Sequence, residues 1–228
     1  LVGSEMCIRD RYILRELAPA HKIKLRAVHI NHMLRGVESD EDEEFVRQLC
    51  DRWRIPLRIH KIDMRNRAKE LHIGIEEAAR NTRIDVLSRE SRREGAAIAT
   101  GHTADDVVET MLFNLVRGSG VRGLSSIPPH RGRFIRPILN IWRYQARAIM
   151  RKEEIEWRED SSNKDRRIAR NRIRMDLIPH IVKIFGRNSI EHIFDASNML
   201  RRTRVALQDC FRIQYQKALI GFCEGLIM

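Results

Sequence analysis

Four cysteines in 228 residues, at positions 7, 50, 210 and 223, form no CxxC pair and no metal-ligand spacing. That excludes a disulfide framework and a zinc-ribbon or zinc-finger site. No apolar run approaches the ~18 residues that a membrane-spanning helix needs, because Arg, Lys or Glu interrupts every candidate. The first residues carry Glu5, Arg9, Asp10 and Arg11, too much charge for the apolar core of a secretory leader. There are no internal repeats and no low-complexity segments. A cytoplasmic protein with reduced thiols is expected. The hydrophobic fraction of 43% is that of a folded globular chain.

Positive charge is present in excess and is unevenly shared. Lys and Arg number 43 against 31 Asp and Glu, for a net charge of +12. Residues 1–130 hold 22 basic and 20 acidic side chains, and residues 131–228 hold 21 and 11. The second part therefore points to an acidic macromolecular partner. Its densest stretch, Asn163 to Arg174, has six cations in twelve residues. These repel one another unless phosphates or counterions lie nearby, although a solvated basic helix face would share the composition.

The apolar patterning predicts an α/β order. Leu25–Asn31 reads as a buried parallel strand, and Leu57–Asp63 alternates like a strand nearer an edge. Between them, Ser39 precedes a helix over Asp40–Trp53 whose first turn is acidic. A second helix is predicted over Ile75–Arg93, then a short central strand, Ala96–Gly101, opening into a helix that carries Val107, Val108, Met111, Leu112 and Leu115. Strand–helix repetition of this kind gives a doubly wound, mainly parallel sheet. Phe134–Leu139 reads as an edge strand, where Pro137 is tolerable. Tyr144–Ile155 reads as a helix, and from Arg167 onward the chain reads as helical, interrupted near Pro179 and Gly186, with one long helix over Ser189–Leu219.

Three stretches carry candidate chemistry. Gly101-His102-Thr103-Ala104-Asp105-Asp106 sits where a strand ends and a helix begins, the place where open α/β sheets bind ligands. Thr103 and Asp106 make nearly a capping box, but one cap needs only one carboxylate. The second would face the cleft, where Mg²⁺ and a phosphate neutralise it. Arg117-Gly118-Ser119-Gly120-Val121-Arg122-Gly123 is either a helix C-cap and turn or a loop over a phosphate or RNA; on its own, the C-cap is favoured. Arg170 and Arg174 stand one helical turn apart and would grip neighbouring phosphates.

These pieces occur together and in order. Ala27-Val28-His29-Ile30-Asn31-His32, Glu76-Glu77-Ala78-Ala79-Arg80 and Thr100-Gly101-His102-Thr103-Ala104-Asp105-Asp106-Val107-Val108-Glu109-Thr110 are followed by the segment Leu115–Leu124 and by Arg136-Pro137. Trp157 with Glu159-Asp160-Ser161-Ser162-Asn163, Arg170-Asn171-Arg172-Ile173-Arg174 and Leu177-Ile178-Pro179 complete the series. Over roughly residues 13–185 the chain resembles the tRNA(Ile)-lysidine synthetases, of the PP-loop ATP pyrophosphatase superfamily.

The resemblance implies ATP and Mg²⁺ as cofactors, and L-lysine and a tRNA(Ile) with a CAU anticodon as partners. ATP would adenylate the 2-carbonyl oxygen of the wobble cytidine, and lysine would then displace AMP to give lysidine. It assigns Asp105 and Asp106 to Mg²⁺ and Arg80 to charge stabilisation, as catalytic residues. Val28, His29, Asn31, Gly101 and His102 would bind the nucleotide. Arg117, Arg122, Arg136, Arg170, Asn171, Arg172 and Arg174 would bind RNA. The domains expected are a non-native leader (1–12), a PP-loop ATPase-like domain (13–140), a basic helical tRNA-contacting extension (141–186), and a helical linker opening a truncated C-terminal domain (187–228).

One departure stands out. The superfamily's SGGxDS phosphate loop should fall on residues 2–7, which read Val-Gly-Ser-Glu-Met-Cys. Its backbone amides would cradle pyrophosphate, so ATP binding by this chain is expected to be impaired. Two other readings compete: a PP-loop tRNA thiolase, against which the scattered cysteines argue, and a non-catalytic RNA-binding module, which leaves the paired carboxylates unexplained.

Overall fold

The computed structural model describes residues 5–155, 157 and 165–225, with side chains over 11–155, 157 and 165–216. The chain divides into two compact units, each assembled from two stretches: Leu1–Thr103 with Pro129–Asn163, and Ala104–Pro128 with Lys164–Met228. These units part at other places than the domain limits expected at 140 and 186.

The first unit opens with α1 (Glu5–Leu17), followed by β1 (Ala27–Asn31), α2 (Val37–Arg52) and β2 (Leu57–Lys61). β1 and β2 pair in parallel, Ala27 opposite Leu57 and Asn31 opposite Lys61. Parallel pairing requires a crossover, and α2 supplies it. The apolar face of α2 buries Val46, Leu49 and Cys50, of which Val46 and Cys50 pack with Ala27 and Ile55. A second cluster joins Leu49, Met150 and Ile155, flanked by Tyr12, Phe45, Trp53 and Trp157. α3 (Met64–Leu71) is capped by Asp63, whose side chain accepts from the backbone N–H groups of Arg65 and Asn66. α4 (Ile75–Glu94) ends at Gly95, whose φ of 62° lies in the left-handed region that closes helices.

β3 (Ile98–Ala99), β4 (His130–Arg131) and β5 (Phe134–Ile135) form a three-stranded sheet in the order β3-β5-β4. β3 runs parallel to β5, and β4 antiparallel to it. The expected edge strand is therefore central within this sheet. It avoids the missing proline N–H by stopping at Ile135, before Pro137. The strand expected over Ala96–Gly101 shortens to two residues. α7 (Arg143–Lys152) completes the first unit.

The second unit is helical: α5 (Ala104–Val116), α6 (Val121–Leu124), α8 (Ala169–Arg172), α9 (Ile178–Phe185) and α10 (Asn188–Gly225). α8 and α9 are joined by a π-helical turn, Ile173–Leu177, so the helix passes through Pro179 instead of breaking there. The Pro lacks an N–H and cannot bond one turn back, and the ladder widens to absorb the loss. The break comes at Gly186, φ 81°. α10 packs on α5, α6 and α9.

The architecture is thus α/β with mainly parallel strand pairing and a helical C-terminal segment. α2 begins at Val37, three residues before its expected start, so Ser39 lies inside it and its hydroxyl accepts from Arg35 N–H at 3.2 Å. α1 runs from the expected leader into the expected native helix without a break, and residues 5–7 of the phosphate-loop register are helical. Among the described residues, no helix is long and apolar enough to cross a membrane.

Candidate active site: buried carboxylates and their arginines

In the first unit, the expected nucleotide-binding residues lie along β1 and just after β3. Val28, His29 and Asn31 lie on β1, with His29 and Asn31 buried. Burial of its imidazole pulls His29 down to about 4, so the ring is neutral at pH 7. The unfolded chain, with an ordinary histidine, binds a proton that the folded chain refuses. Stability present above pH 6.5 is therefore lost as pH falls toward 4. We expect about 2 kcal/mol to be lost by pH 5, read from urea unfolding at pH 7 and pH 5. His29→Gln should flatten that dependence; an equal pH dependence in both proteins would contradict it.

Asn31 closes β1 with every polar atom engaged. Its amide donates to Asp40 Oδ1 at 3.0 Å and Glu43 Oε2 at 2.9 Å, and its carbonyl accepts from Met33 N–H at 3.0 Å. Lys61, opposite it on β2, reaches Asp40 at 3.2 Å and Glu43 at 3.3 Å. Burial pushes the Glu43 carboxyl up, but hydrogen bonds from Asn31 and Lys61 outweigh this and hold it below the usual range. Asn31 thereby fixes the loop at the carboxyl end of β1, where Met33 takes φ 53° and Gly36 φ 56°. A β-carbon-bearing Met there is strained, and these bonds hold it.

After β3 come Gly101, buried, and His102, whose Nδ1 lies 3.0 Å from Thr100 Oγ1. Arg80 lies on α4, exposed, and makes no ion pair among the described residues. Arg136 is half-buried beyond β5, its pKa lowered by burial and by Arg131.

In the second unit, Asp105 and Asp106 occupy the first turn of α5, where the helix dipole favours negative charge. Asp105 is half-buried and Asp106 is buried. One turn further, Glu109 has a side chain that is 0% exposed. Two arginines meet these carboxylates. Arg170 places Nε 3.0 Å from Glu109 Oε2 and Nη2 3.1 Å from Asp106 Oδ1. Arg174 places Nε 2.7 Å from Glu109 Oε1 and Nη2 3.0 Å from Glu109 Oε2. The Arg174 guanidinium stands 4.0 Å from Asp106 Oδ1. Two buried carboxylates and two guanidiniums thus form a quartet, the kind of pairing that makes burial of such groups tolerable.

Of the residues expected to face RNA, the structure turns Arg170 and Arg174 onto α5 and buries Asn171, whose amide donates to the Asp165 carbonyl at 2.9 Å. Arg172, on the other side of the same short helix, is exposed. Arg122 is exposed on α6, and Arg117 lies over the Phe113 ring, 5.0 Å from its centroid. The glycine-rich segment between them is an ordered turn. Gly118 takes φ 72°, Ser119 N–H bonds back to Asn114 O at 3.0 Å, and Asn114 Nδ2 donates to Gly123 O at 2.7 Å. A β-carbon on Gly123 would stand 2.5 Å from that of Ser119, so only glycine fits. The stretch Glu159–Asn163 lies outside the described residues.

Glu109, which holds both arginines, is missing from the sequence-based set. The signal was its position three residues after Asp106, on the same helical face. Among the described residues, no group of three or more His, Cys, Asp or Glu is placed to hold a metal by itself. Asp105 and Asp106 offer oxygens of the kind Mg²⁺ takes, and Asp106 already accepts from Arg170 at 3.1 Å.

The PP-loop domain model matches residues 11–181. This chain belongs to the PP-loop domain family. The PP-loop match opens within α1 and covers both carboxylates and both arginines of the quartet. Curated relatives include the tRNA(Ile)-lysidine synthase of Caldanaerobacter subterraneus, 33% identical over 189 residues, or 82% of this chain and 40% of that protein. That of Bacteroides thetaiotaomicron is 42% identical over 159 residues, 69% of this chain and 37% of its own length. That of Thermotoga maritima is 37% identical over 169 residues, 74% and 41%. This PP-loop chain therefore spans about two fifths of the length of the curated relatives it matches. A solved structure, the U34-tRNA thiolase NcsA from Methanococcus maripaludis with its [4Fe-4S] cluster, superposes with a TM-score of 0.70 at 18% identity, covering 89% of this chain and 70% of that one. At that identity the likeness is one of fold.

Proposed function

We propose that this PP-loop chain belongs to a ligase that joins L-lysine to the 2-carbon of the wobble cytidine of CAU-anticodon tRNA(Ile), at the expense of ATP. What carries the reading is the ordered series of motifs together with 33–42% identity to tRNA(Ile)-lysidine synthases. In the first step the cytidine 2-oxygen attacks the α-phosphorus and pyrophosphate leaves. In the second the lysine ε-amine, having lost a proton, attacks carbon 2, and AMP leaves with the former carbonyl oxygen.

Mg²⁺, when bound, makes the α-phosphate more electrophilic. Asp105 and Asp106 would hold it from the first turn of α5. Arg80 would offset the charge that develops on the departing phosphate. Val28, His29, Asn31, Gly101 and His102 would receive the nucleotide at the strand ends, Asn31 through the loop it fixes. Arg117, Arg122, Arg136 and Arg172 would meet RNA phosphates, with Arg170 and Asn171 acting from the same short helix as Arg172 and Arg174 from the π-helical turn after it. The site of action would be the cytoplasm.

The thiolase reading finds support only in a fold likeness, and the four dispersed cysteines speak against a cluster or a sulfur relay. RNA contact is tested by titrating tRNA(Ile) transcript into the protein over a range of NaCl. Arg172→Ala should weaken binding and lower the log–log salt slope by about 1, as for one lost phosphate contact. An unchanged slope would remove Arg172 from the interface.

A further inference from the structure

Two side chains of α10 reach out of their own helix to the segment that follows the glycine-rich turn. Ser197 is 0% exposed, and its hydroxyl donates to Leu124 O at 3.1 Å. One helical turn on, Arg201 donates from Nη1 to Ile127 O at 3.2 Å and from Nη2 to Asn198 Oδ1 at 2.5 Å. A serine inside a helix ordinarily turns its hydroxyl back on a carbonyl of the preceding turn. Here the hydroxyl serves another element, and it serves a carbonyl that needs a donor. Leu124 closes α6, and the last carbonyls of a helix have no donor within it.

With four residues, α6 is too short to hold itself, and its supports come from its neighbours. Asn114 of α5 donates to Gly123 O at 2.7 Å, Ser125 Oγ returns to Val121 O at 2.6 Å, and Ser126 Oγ donates to Val107 O at 2.8 Å. The segment is thus tied to α5 and to α10, while Arg117, Val121 and Arg122 stay exposed. We propose that Ser197 and Arg201 are positioning residues for RNA: from α10 they fix the Leu124–Ile127 segment, so that Arg117 and Arg122 are presented to RNA phosphates at a set spacing. This rests on the reading that those two arginines meet RNA, and it adds what holds them in place. Donors fixed beforehand spare the complex the cost of ordering them. A fully buried serine touches no phosphate, so its effect on RNA binding can only travel through the turn.

The experiment is a double-mutant cycle on the full 228-residue chain. Affinity for a tRNA(Ile) transcript is measured over a range of NaCl for the unaltered protein, Ser197→Ala, Arg201→Gln, the pair Arg117→Ala with Arg122→Ala, and each α10 variant combined with that pair. Thermal melts confirm folding, and Arg201→Gln carries the same test should Ser197→Ala fail to fold. Ser197→Ala should weaken binding about fivefold, the scale of one net hydrogen bond, and Arg201→Gln at least as much. Both should move the log–log salt slope toward that of the arginine pair, which loses about 2. In the protein without the two arginines, Ser197→Ala should change affinity by less than about twofold, since the contacts it acts through are gone. The amides of Gly123 and Leu124, which bond Gly120 O at 2.9 and 3.1 Å, should also exchange hydrogen faster in Ser197→Ala. A purely structural serine would lower the melting temperature and leave the salt slope alone. Unchanged affinity and slope in the α10 variants, or equal losses with and without the two arginines, would overturn the positioning role and leave the tRNA reading standing. So would full tRNA affinity in the protein lacking Arg117 and Arg122. Failure of the unaltered protein to bind the tRNA at low salt would overturn the functional reading and the positioning role together.

Discussion

Replacing both Arg170 and Arg174 by alanine is expected to lower the stability of the protein by about 3 kcal/mol, the order of cost of taking cations away from beside buried carboxylates. In the intact protein Glu109 is fully buried and Asp106 nearly so, so water does little for either side chain and the guanidiniums do more. Either single substitution should cost much less, because Glu109 keeps one guanidinium in each case. The sum of the two single effects should fall well short of the double effect, a non-additivity typical of side chains that share partners. Urea unfolding of the three variants measures this. Additive losses below about 1 kcal/mol would mean that the arginines act as solvated surface charges and the quartet contributes little.

The second large effect concerns chemistry. Asp105→Asn or Asp106→Asn should reduce ATP-dependent lysine transfer by about a thousandfold, corresponding to about 4 kcal/mol of transition-state stabilisation. The binding constant for tRNA should change little, since a carboxylate contributes no phosphate contact. Asp106→Asn carries an additional signature. It removes one anion from the quartet and weakens the hold on Arg170, which keeps Glu109 and the backbone carbonyl of residue 106, so stability should fall as well. Asp105→Asn, outside the quartet, should lower the melting temperature less than Asp106→Asn does. Single-turnover transfer, tRNA affinity and thermal melts on the same preparations separate the two carboxylates. Loss of tRNA binding in parallel with activity would instead assign the pair to RNA positioning.

Much of this was legible before the structure, for definable reasons. The helices over Val37–Arg52, Ile75–Glu94 and Ala104–Val116 follow from apolar spacing and from signals such as the acidic residues that open the first of them, all local in sequence. Strand length was less legible: β3 keeps two residues of an apolar run of six, because pairing partners decide where a strand ends. Pro179 misled because a proline reads as a stop, whereas a π-helical turn accommodates it.

The site shows the same division. Asp105 and Asp106 stood out at a strand-to-helix junction. The roles of Arg170 and Arg174 could not be read, since a pair of arginines one turn apart suits phosphates outside and carboxylates inside equally well. What decides is Glu109, 61 residues before Arg170 and 65 before Arg174, a pairing that no local pattern reveals. Asn31 is a similar case: its three hydrogen bonds to Met33, Asp40 and Glu43 show a side chain fixing a loop at the strand end, a role that its place in a motif did not specify.

The most direct test of the functional reading is transfer of labelled lysine to CAU-anticodon tRNA(Ile) by the protein carrying this sequence, with residues 2–7 as they stand and with Ser-Gly-Gly-x-Asp-Ser in their place. The account predicts ATP-dependent incorporation at the wobble cytidine when the phosphate loop is supplied. With Val-Gly-Ser-Glu-Met-Cys in those positions, incorporation should be lower by about a hundredfold or more, since the amides that cradle pyrophosphate and one acidic ligand are missing. Tight tRNA binding with no lysine incorporation in either form would contradict the account and leave an RNA-binding module in its place.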